Sequence, residues 1–402
     1  MKVIDQGVCA AKGFLAGACH CGIRKNQSKD DLALIYSQSL CQCAAVYTSN
    51  KVKAAPLKVT KKHLENGMAQ AIIVNSGNAN ACNETEMESA NREAQCAADF
   101  LKCEKENVIV ASTGVIGQPL PISCIEENIQ QIKLGNDQSF KASQAILTTD
   151  TIEKSIAVEF EINGVVCHMG GICKGSGMIH PNMGTMLAFI TTDCNISSNL
   201  LEECLKENVK KTFNRISVDG DTSTNDMCVV MANGMALNAP VTKKTDSFAV
   251  FKQALRFVME ELAKKIAADG EGAGKFLTCT VKGAKTEQDA QTLAMSVCSS
   301  SLLKAAMFGS DANWGRVMCA LGYAGVDFDP EMVDIYFKYK DQVIQCCKDG
   351  KALDFDEEKA KDILSQNEIE IISDLKQGDQ QVSCWGCDLT YDYVKINGDY
   401  RT

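Results

Sequence analysis

The chain has 402 residues, 45% hydrophobic and 23% charged, with a formal charge of −10 at neutral pH. That length exceeds the size at which one hydrophobic core usually stops growing, so two lobes or one large α/β unit are expected. The acidic balance works against a nucleic-acid partner, which needs clustered Lys and Arg, whereas the lysine pairs at 61–62, 210–211, 243–244 and 264–265 are scattered and read as solvated faces.

The N-terminal MKVIDQGVCAAKGF carries Asp5 and Lys12 where a secretory signal needs an unbroken apolar run. No run of 18 apolar residues occurs anywhere, so a cytoplasmic protein without membrane contact is expected. AQAIIVNSG (69–77) reads as a short apolar strand entering a glycine-rich loop, and 84–103 has helical spacing. NVIVASTGVIG (107–117) repeats the strand-then-loop plan. SIAVEFEING (155–164) alternates Ile156, Val158, Phe160 and Ile162 before Asn163-Gly164, a hairpin turn pair. TMLAFITTD (185–193) predicts a buried strand, followed by a serine-capped helix over about 198–213. The longest amphipathic helix spans 247–268 and ends at Asp269-Gly270. VDIYFKYKDQVI (333–344) alternates like a hairpin, and CDLTYDYVKIN (387–397) has helical character. With no internal repeat and no proline-rich linker, this pattern predicts a mixed α/β protein whose sheets are covered by helices.

Several local motifs fail on their own terms. GEGAGKF (270–276) has one residue too few between its outer glycines for a phosphate loop, and Phe276 stands where a magnesium-binding hydroxyl belongs. SLLK (301–304) and SDLK (373–376) lack the companion motifs of a serine–lysine enzyme. The 21 cysteines are odd in number and spread along the chain, which points to reduced thiols used mostly as small core residues. Cys384 and Cys387 form C-x-x-C without the second pair that a zinc site needs and without opening a helix after a first strand as a redox motif would, and Cys19, His20, Cys21, Cys41 and Cys43 form a Cys/His group. No metal and no cofactor are expected. His20, His63, His168 and His180 are scattered, and His180, five residues before Thr185, is the one within local reach of that hydroxyl.

KGSGMIHPNMGTMLAF (174–189) crowds small and rigid residues in front of Gly184-Thr185. A threonine hydroxyl is a weak nucleophile that needs an adjacent base. If Thr185 attacks the Gly184 carbonyl and the ester hydrolyses, Thr185 gains an α-amine with a pKa of about 7.7–8.0, suited to carry a proton near working pH. ASTGVIG (111–117) offers the Thr113 hydroxyl and the Gly114 N–H as donors to an oxyanion. Taken alone, these residues are better accounted for by a turn at Gly184, a strand starting at Thr185 and a simple strand-ending loop at 112–117.

The whole set closely resembles the ornithine acetyltransferase family, the glutamate N-acetyltransferases of arginine biosynthesis. GFLAGACHCGIRK, VNSGNANAC, ASTGVIG, KGSGMIHPNMGTMLAF, SVDGDTSTND, DGEGAGKF, DANWGRVMCALGYAG and CDLTYDYVKINGDYRT occur in the family's order along the chain. The resemblance implies an α/β fold of stacked sheets flanked by helices, like that of the β-peptidyl aminopeptidases. It implies self-cleavage between Gly184 and Thr185 into chains 1–184 and 185–402, assembled as a heterotetramer of two such pairs. Thr185 would be the nucleophile and Thr113 with Gly114 the oxyanion hole. Thr148, Lys174, Thr185, Glu271, Asn397 and Thr402 would contact substrate, with Thr148 preferred to Thr149 because it keeps the family's spacing to Lys174. N-acetylornithine and glutamate are the implied substrates, and acetyl-CoA is an optional second donor that separates bifunctional from monofunctional members. This chain departs from the family pattern at Gly184 and Cys384, where alanine is usual, and at Gly274, where threonine is usual. The alternatives are an N-terminal-threonine amidohydrolase that passes its acyl group to water, and a cysteine-rich metal-binding protein.

Overall fold

The computed structural model describes residues 1–180 and 186–399, and its contacts separate the chain into two units. The first takes Met1–Gly175, the described part of 182–214, and Thr222–Leu262. The second takes the described part of 176–181, Arg215–Asp221, and the described part of 263–402. This division is separate from the expected chain boundary at 184, because each unit draws residues from both sides of it.

The first unit contains β1 (Lys2–Ile4), β2 (Phe14–Cys19), β3 (Leu32–Tyr47), β4 (Met68–Asn78), β5 (Val108–Val115), β6 (Lys154–Ile162), β7 (Val165–Lys174) and β8 (Leu187–Thr192). After the short β9 (Ile216–Ser217), which belongs to the other unit, comes β10 (Met227–Ala232). They form one sheet in the order β1-β6-β7-β8-β10-β3-β4-β5, with β2 added on β3. Neighbouring residues of a strand point to opposite faces, and here both faces are apolar. Ala71, Ile73, Val108 and Val110 pack with α1 (Ala55–His63) and α2 (Glu86–Leu101), while Ile72, Val74, Ile109 and Ala111 share the other core with Phe189 and Val229. Burial on two sides is why these strands read as continuous apolar runs instead of alternating ones. The predicted hairpin joins β6 to β7: Asn163 and Gly164 both have positive φ, 50° and 81°, as a tight two-residue turn requires.

Three further helices belong to this part of the chain: α3 (Ile122–Asn128), α4 (Ser139–Ala145) and α5 (Ser198–Lys211). The serine cap predicted for α5 is corrected in detail, because Ser197 holds the N-cap position but its hydroxyl makes no capping bond. The long helix α6 (Asp246–Ala268) lays Phe251 edge-on to Phe160 of β6, with ring centroids 6.3 Å apart.

The second unit is built from β11 (Phe276–Ala284), α7 (Glu287–Ser299), α8 (Ser301–Phe308), α9 (Trp314–Gly322), β12 (Asp334–Tyr339), β13 (Gln342–Lys348), β14 (Lys351–Ala352), α10 (Glu357–Leu364), β15 (Glu368–Asp374), β16 (Gln380–Cys387) and α11 (Tyr391–Gly398). Its sheet runs β14-β13-β12-β15-β11-β16-β9. Leu277, Cys279, Val281, Ile369 and Ile371 enter a core with Ala290, Leu293, Val317 and Ile363 of the helices. The alternate positions are polar: Thr280 and Ser383 hydroxyls meet at 2.8 Å, and Lys338 reaches Glu370 at 2.9 Å. One apolar face gives the strict alternation seen in 333–344, whose hairpin is β12 and β13. The helix expected over 387–397 begins only at Tyr391, since Cys387 ends β16.

Candidate active site

In the first unit, the site is assembled at strand ends. Thr113 and Gly114 lie near the end of β5, where the parallel pairing with β4 becomes irregular at Gly77-Asn78. Gly114 has a φ of 136°, and a Cβ there would stand 2.3 Å from the Gly77 carbonyl carbon, so no other residue fits without moving β4. Asn225 steadies this corner from β10's side, its Nδ2 donating to Ser112 O at 2.8 Å and to Ala79 O at 2.7 Å. Lys174 closes β7 with its side chain buried; its Nζ donates to Thr148 Oγ1 at 2.8 Å and to Thr113 Oγ1 at 3.3 Å. The structure therefore gathers Thr113, Thr148 and Lys174 from three places in the chain.

Asp150 sits at the centre of this cluster. Its Oδ1 accepts from Lys154 Nζ at 2.7 Å and from Gly175 N at 2.6 Å, and its Oδ2 accepts from Thr148 N at 3.0 Å. Burial pushes its carboxyl toward the neutral form, but the Lys174 and Lys154 ammoniums and these hydrogen bonds outweigh that and hold it below the usual carboxylate range.

Gly184, Thr185 and Thr402 lie outside the described residues. The residue after Thr185 is well anchored. β8 and β10 are parallel, with Leu187 opposite Met227, which brings Asp226 level with Met186, and Asp226 Oδ1 accepts from Met186 N at 2.8 Å. Its buried Oδ2 has no hydrogen-bond partner among the described residues. Thr48 lies beside this carboxylate, but its single hydroxyl proton goes to Ser223 O at 2.7 Å. Burial raises the Asp226 carboxyl well above its ordinary range.

The second unit holds its own cluster. Glu271 N donates to Ser176 O at 2.9 Å, and the buried Glu271 carboxylate lies so close over Gly177 that a Cβ there would be 2.3 Å from its Cδ. Asn397 Nδ2 of α11 donates to Glu271 Oε2 at 2.7 Å. Asp219 accepts from Met178 N at 2.5 Å and Ile179 N at 2.9 Å, which holds Met178 at a positive φ of 60°. The Tyr393 hydroxyl donates to Asp219 at 3.3 Å, and burial beside that acid pushes the phenol up. His180 does not join this acid cluster; its Nδ1 pairs with Ser217 Oγ at 3.1 Å, and burial lowers its pKa.

Asp150, Lys154, Asn225, Asp226, Asp219 and Tyr393 were not singled out from sequence. Their signal was present but diluted: Asp150 stands inside TTDT beside Thr148, three of the others sit in SVDGDTSTND, and Tyr393 sits in CDLTYDY. The remaining candidates have structural employment. Sixteen of the 21 cysteines are buried, and all 21 are free thiols. Cys384 and Cys387 stand three apart on β16 and so point to opposite faces of a strand. Among the described residues, no group of three or more His, Cys, Asp and Glu converges to hold a metal. Lys275 of GEGAGKF binds carbonyls at the ends of α8 and α10, those of Met307 at 2.5 Å and Leu364 at 2.7 Å, as cations do at helix C-termini. Lys264 is more than a solvated charge, lying over the Trp385 ring at 5.4 Å. No described helix is long and apolar enough to cross a membrane.

Helix-covered sheets that carry buried clusters of acids, lysines and hydroxyls at their strand ends define an α/β enzyme. The ArgJ family model matches residues 15–402. A relative from Caldanaerobacter subterraneus subsp. tengcongensis, "Arginine biosynthesis bifunctional protein ArgJ", is 47% identical, with all of both chains covered. "Arginine biosynthesis bifunctional protein ArgJ 1" of Clostridium acetobutylicum is 50% identical over 94% of this chain and 93% of its own. The crystal structure of the Bacillus halodurans arginine biosynthesis bifunctional protein argJ is 44% identical, covers 52% of this chain and 97% of that one, and superposes with a TM-score of 0.50. The chain belongs to the ArgJ family and is an acyltransferase of arginine biosynthesis.

Proposed function

We propose that the chain cuts itself between Gly184 and Thr185 and then transfers an acetyl group from N-acetylornithine to glutamate through an ester on Thr185. The observation that carries this reading is the buried Lys174 ammonium, 2.8 Å from the Thr148 hydroxyl and 3.3 Å from that of Thr113, in a chain whose relatives serve arginine biosynthesis. A buried ammonium suits an α-carboxylate, which donor and acceptor share. The Glu271 carboxylate suits the cationic side chain of the ornithine moiety, and Asn397 orients it. Thr402 is a further contact in this reading.

In the first reaction the Thr185 hydroxyl attacks the Gly184 carbonyl carbon, the peptide C–N bond breaks to leave an ester and a free Thr185 α-amine, and water hydrolyses the ester to the Gly184 carboxylate and the Thr185 hydroxyl. That amine takes the hydroxyl proton as Oγ attacks the acetyl carbonyl of N-acetylornithine. The oxyanion meets the Thr113 hydroxyl and the Gly114 N–H. Collapse breaks the amide bond, returns the proton to the departing ornithine amine and leaves an acetyl ester. The α-amine of glutamate then attacks that ester, and N-acetylglutamate leaves. A thioester such as acetyl-CoA would load the same hydroxyl with a thiol as leaving group, in keeping with the relatives' description as bifunctional. The two chains stay together, and two such pairs form the heterotetramer of this reading.

Intact-mass measurement of wild type and Thr185→Ala tests the proposal. Two fragments are expected from the wild type, and one inactive full-length chain from the variant. An uncut, fully active wild type defeats the mechanism. Acetate release in place of N-acetylglutamate formation would mark an amidohydrolase.

A further inference from the structure

The reaction has no use for Lys154, yet that lysine is fully buried, with 0% of its surface exposed, at the first position of β6. Removing an ammonium from water is costly, so its retention calls for a reason. Lys154 stands opposite Cys173 in the β6–β7 register, next to Lys174, and its Nζ lies 2.7 Å from Asp150 Oδ1 and 3.3 Å from Ile152 O. Asp150 therefore faces two ammoniums and hydrogen-bonds strongly to one: Lys174 Nζ remains 3.9 Å away while donating to Thr148 and Thr113.

A carboxylate offers about four acceptor sites. Three of those on Asp150 are taken, by Lys154 Nζ, Gly175 N and Thr148 N. With Lys154 in place the Asp150–Lys154 pair carries little net charge, so the pull of Asp150 on Lys174 is weakened and is balanced by the Thr148 and Thr113 hydroxyls. Without Lys154, a buried carboxylate would face Lys174 as its sole nearby counter-ion within this set. The attraction between unit charges in a poorly solvated setting is strong enough to close that gap. A substrate carboxylate would then have to displace Asp150.

We infer that Lys154 is a positioning residue: by occupying Asp150 it keeps the Lys174 ammonium on the Thr148 and Thr113 hydroxyls, ready for a substrate carboxylate. This rests on the reading of Lys174 as the group that binds that carboxylate.

The test compares KM and kcat for N-acetylornithine and glutamate in Lys154→Met, Asp150→Asn/Lys154→Met and Lys174→Met, with melting curves and intact masses to verify folding and self-cleavage. Lys154→Met should raise KM for both substrates about tenfold with kcat changed less than about threefold, because the loss is one of ground-state binding. Removing the Asp150 charge in that background should recover at least about a threefold part of the loss, a rescue that a purely structural role would not produce. A folded Lys154→Met with wild-type KM, or a double variant with no recovery, overturns the inference. If Lys154→Met does not fold, the double variant decides alone: a KM about tenfold below that of Lys174→Met sustains the inference, and equality overturns it. A wild-type KM in Lys174→Met would sink the reading of Lys174 and this inference with it, a result distinct from silence at Lys154 alone.

Discussion

The Lys174 and Glu271 clusters each hold a buried charge, by different means. Around Lys174 charge is set against charge: Asp150, Lys154 and Lys174 are all at most 6% exposed, and they sit on the ends of β6 and β7 and the loop before them. Around Glu271 the contacts include neutral groups: the Ser176–Glu271 backbone bond, the missing side chain of Gly177 and the Asn397 amide. That amide comes from α11, a helix with no buried residue, in which Tyr391 is 84% exposed and Val394 70%. The first cluster is thus built into a doubly covered sheet, whereas the second draws its amide from a helix held by polar contacts and by the Tyr391–Phe308 ring pair. Damage to the first should cost binding of everything, and damage to the second should cost selectivity.

The comparison is broken hardest at Lys174. Lys174→Met should lower kcat/KM for N-acetylornithine and for glutamate alike by roughly 100-fold, since truncating one partner of a buried charge pair costs about 2–5 kcal/mol. Steady-state assays with each substrate varied check this, and an effect on one substrate only would contradict it. Glu271→Gln should act more narrowly, raising KM for N-acetylornithine by about 30-fold while glutamate, which lacks the cationic side chain, shifts less than about threefold. Asn397→Ala should repeat the Glu271 pattern at about fivefold, the worth of about 1 kcal/mol for one hydrogen bond, with self-cleavage intact by mass measurement. Equal effects on both substrates from either of these two variants would erase the contrast between the clusters.

The smallest expected effect is one of pH, and its sign differs between the clusters. Asp150 is held below its ordinary value by the two lysines, so its contribution to stability is present above the unfolded carboxylate pKa of about 3.9 and is lost as pH falls through its lower folded value. Asp219 is raised, chiefly by burial, against hydrogen bonds from Met178, Asp221 and Ile179. Its contribution is full below about pH 3.9 and is lost as pH rises through its higher folded value. Denaturation midpoints measured from pH 3 to 8 should show the disadvantage of Asp150→Asn shrinking toward the acid end. Those of Asp219→Asn should improve relative to wild type as pH climbs.

Much of the fold was legible because local signals agreed with it. The Asn163-Gly164 turn, the apolar strands at 69–77 and 107–117, and the helix over 247–268 follow from turn chemistry and periodicity, which act within a few residues. The site was legible only in fragments. Thr113, Lys174 and Glu271 stood out through family-like blocks, whereas Lys154 had no local mark and Asp226 only its place at the end of SVDGDTSTND, because an isolated Lys or Asp reads as a surface residue until its burial is known.

By itself, then, the sequence determined the alternation of strands and helices, the thiol-rich core and the set of blocks that carries the family relationship. Each of these depends on neighbours in the chain or on the order of motifs. Only the tertiary structure decided that Lys154 and Asp150 share one buried site with Lys174 and Thr148, and that the Glu271 carboxylate rests where Gly177 has no side chain. Strand register and the desolvation of charges set those relations, and both arise between segments far apart in the chain.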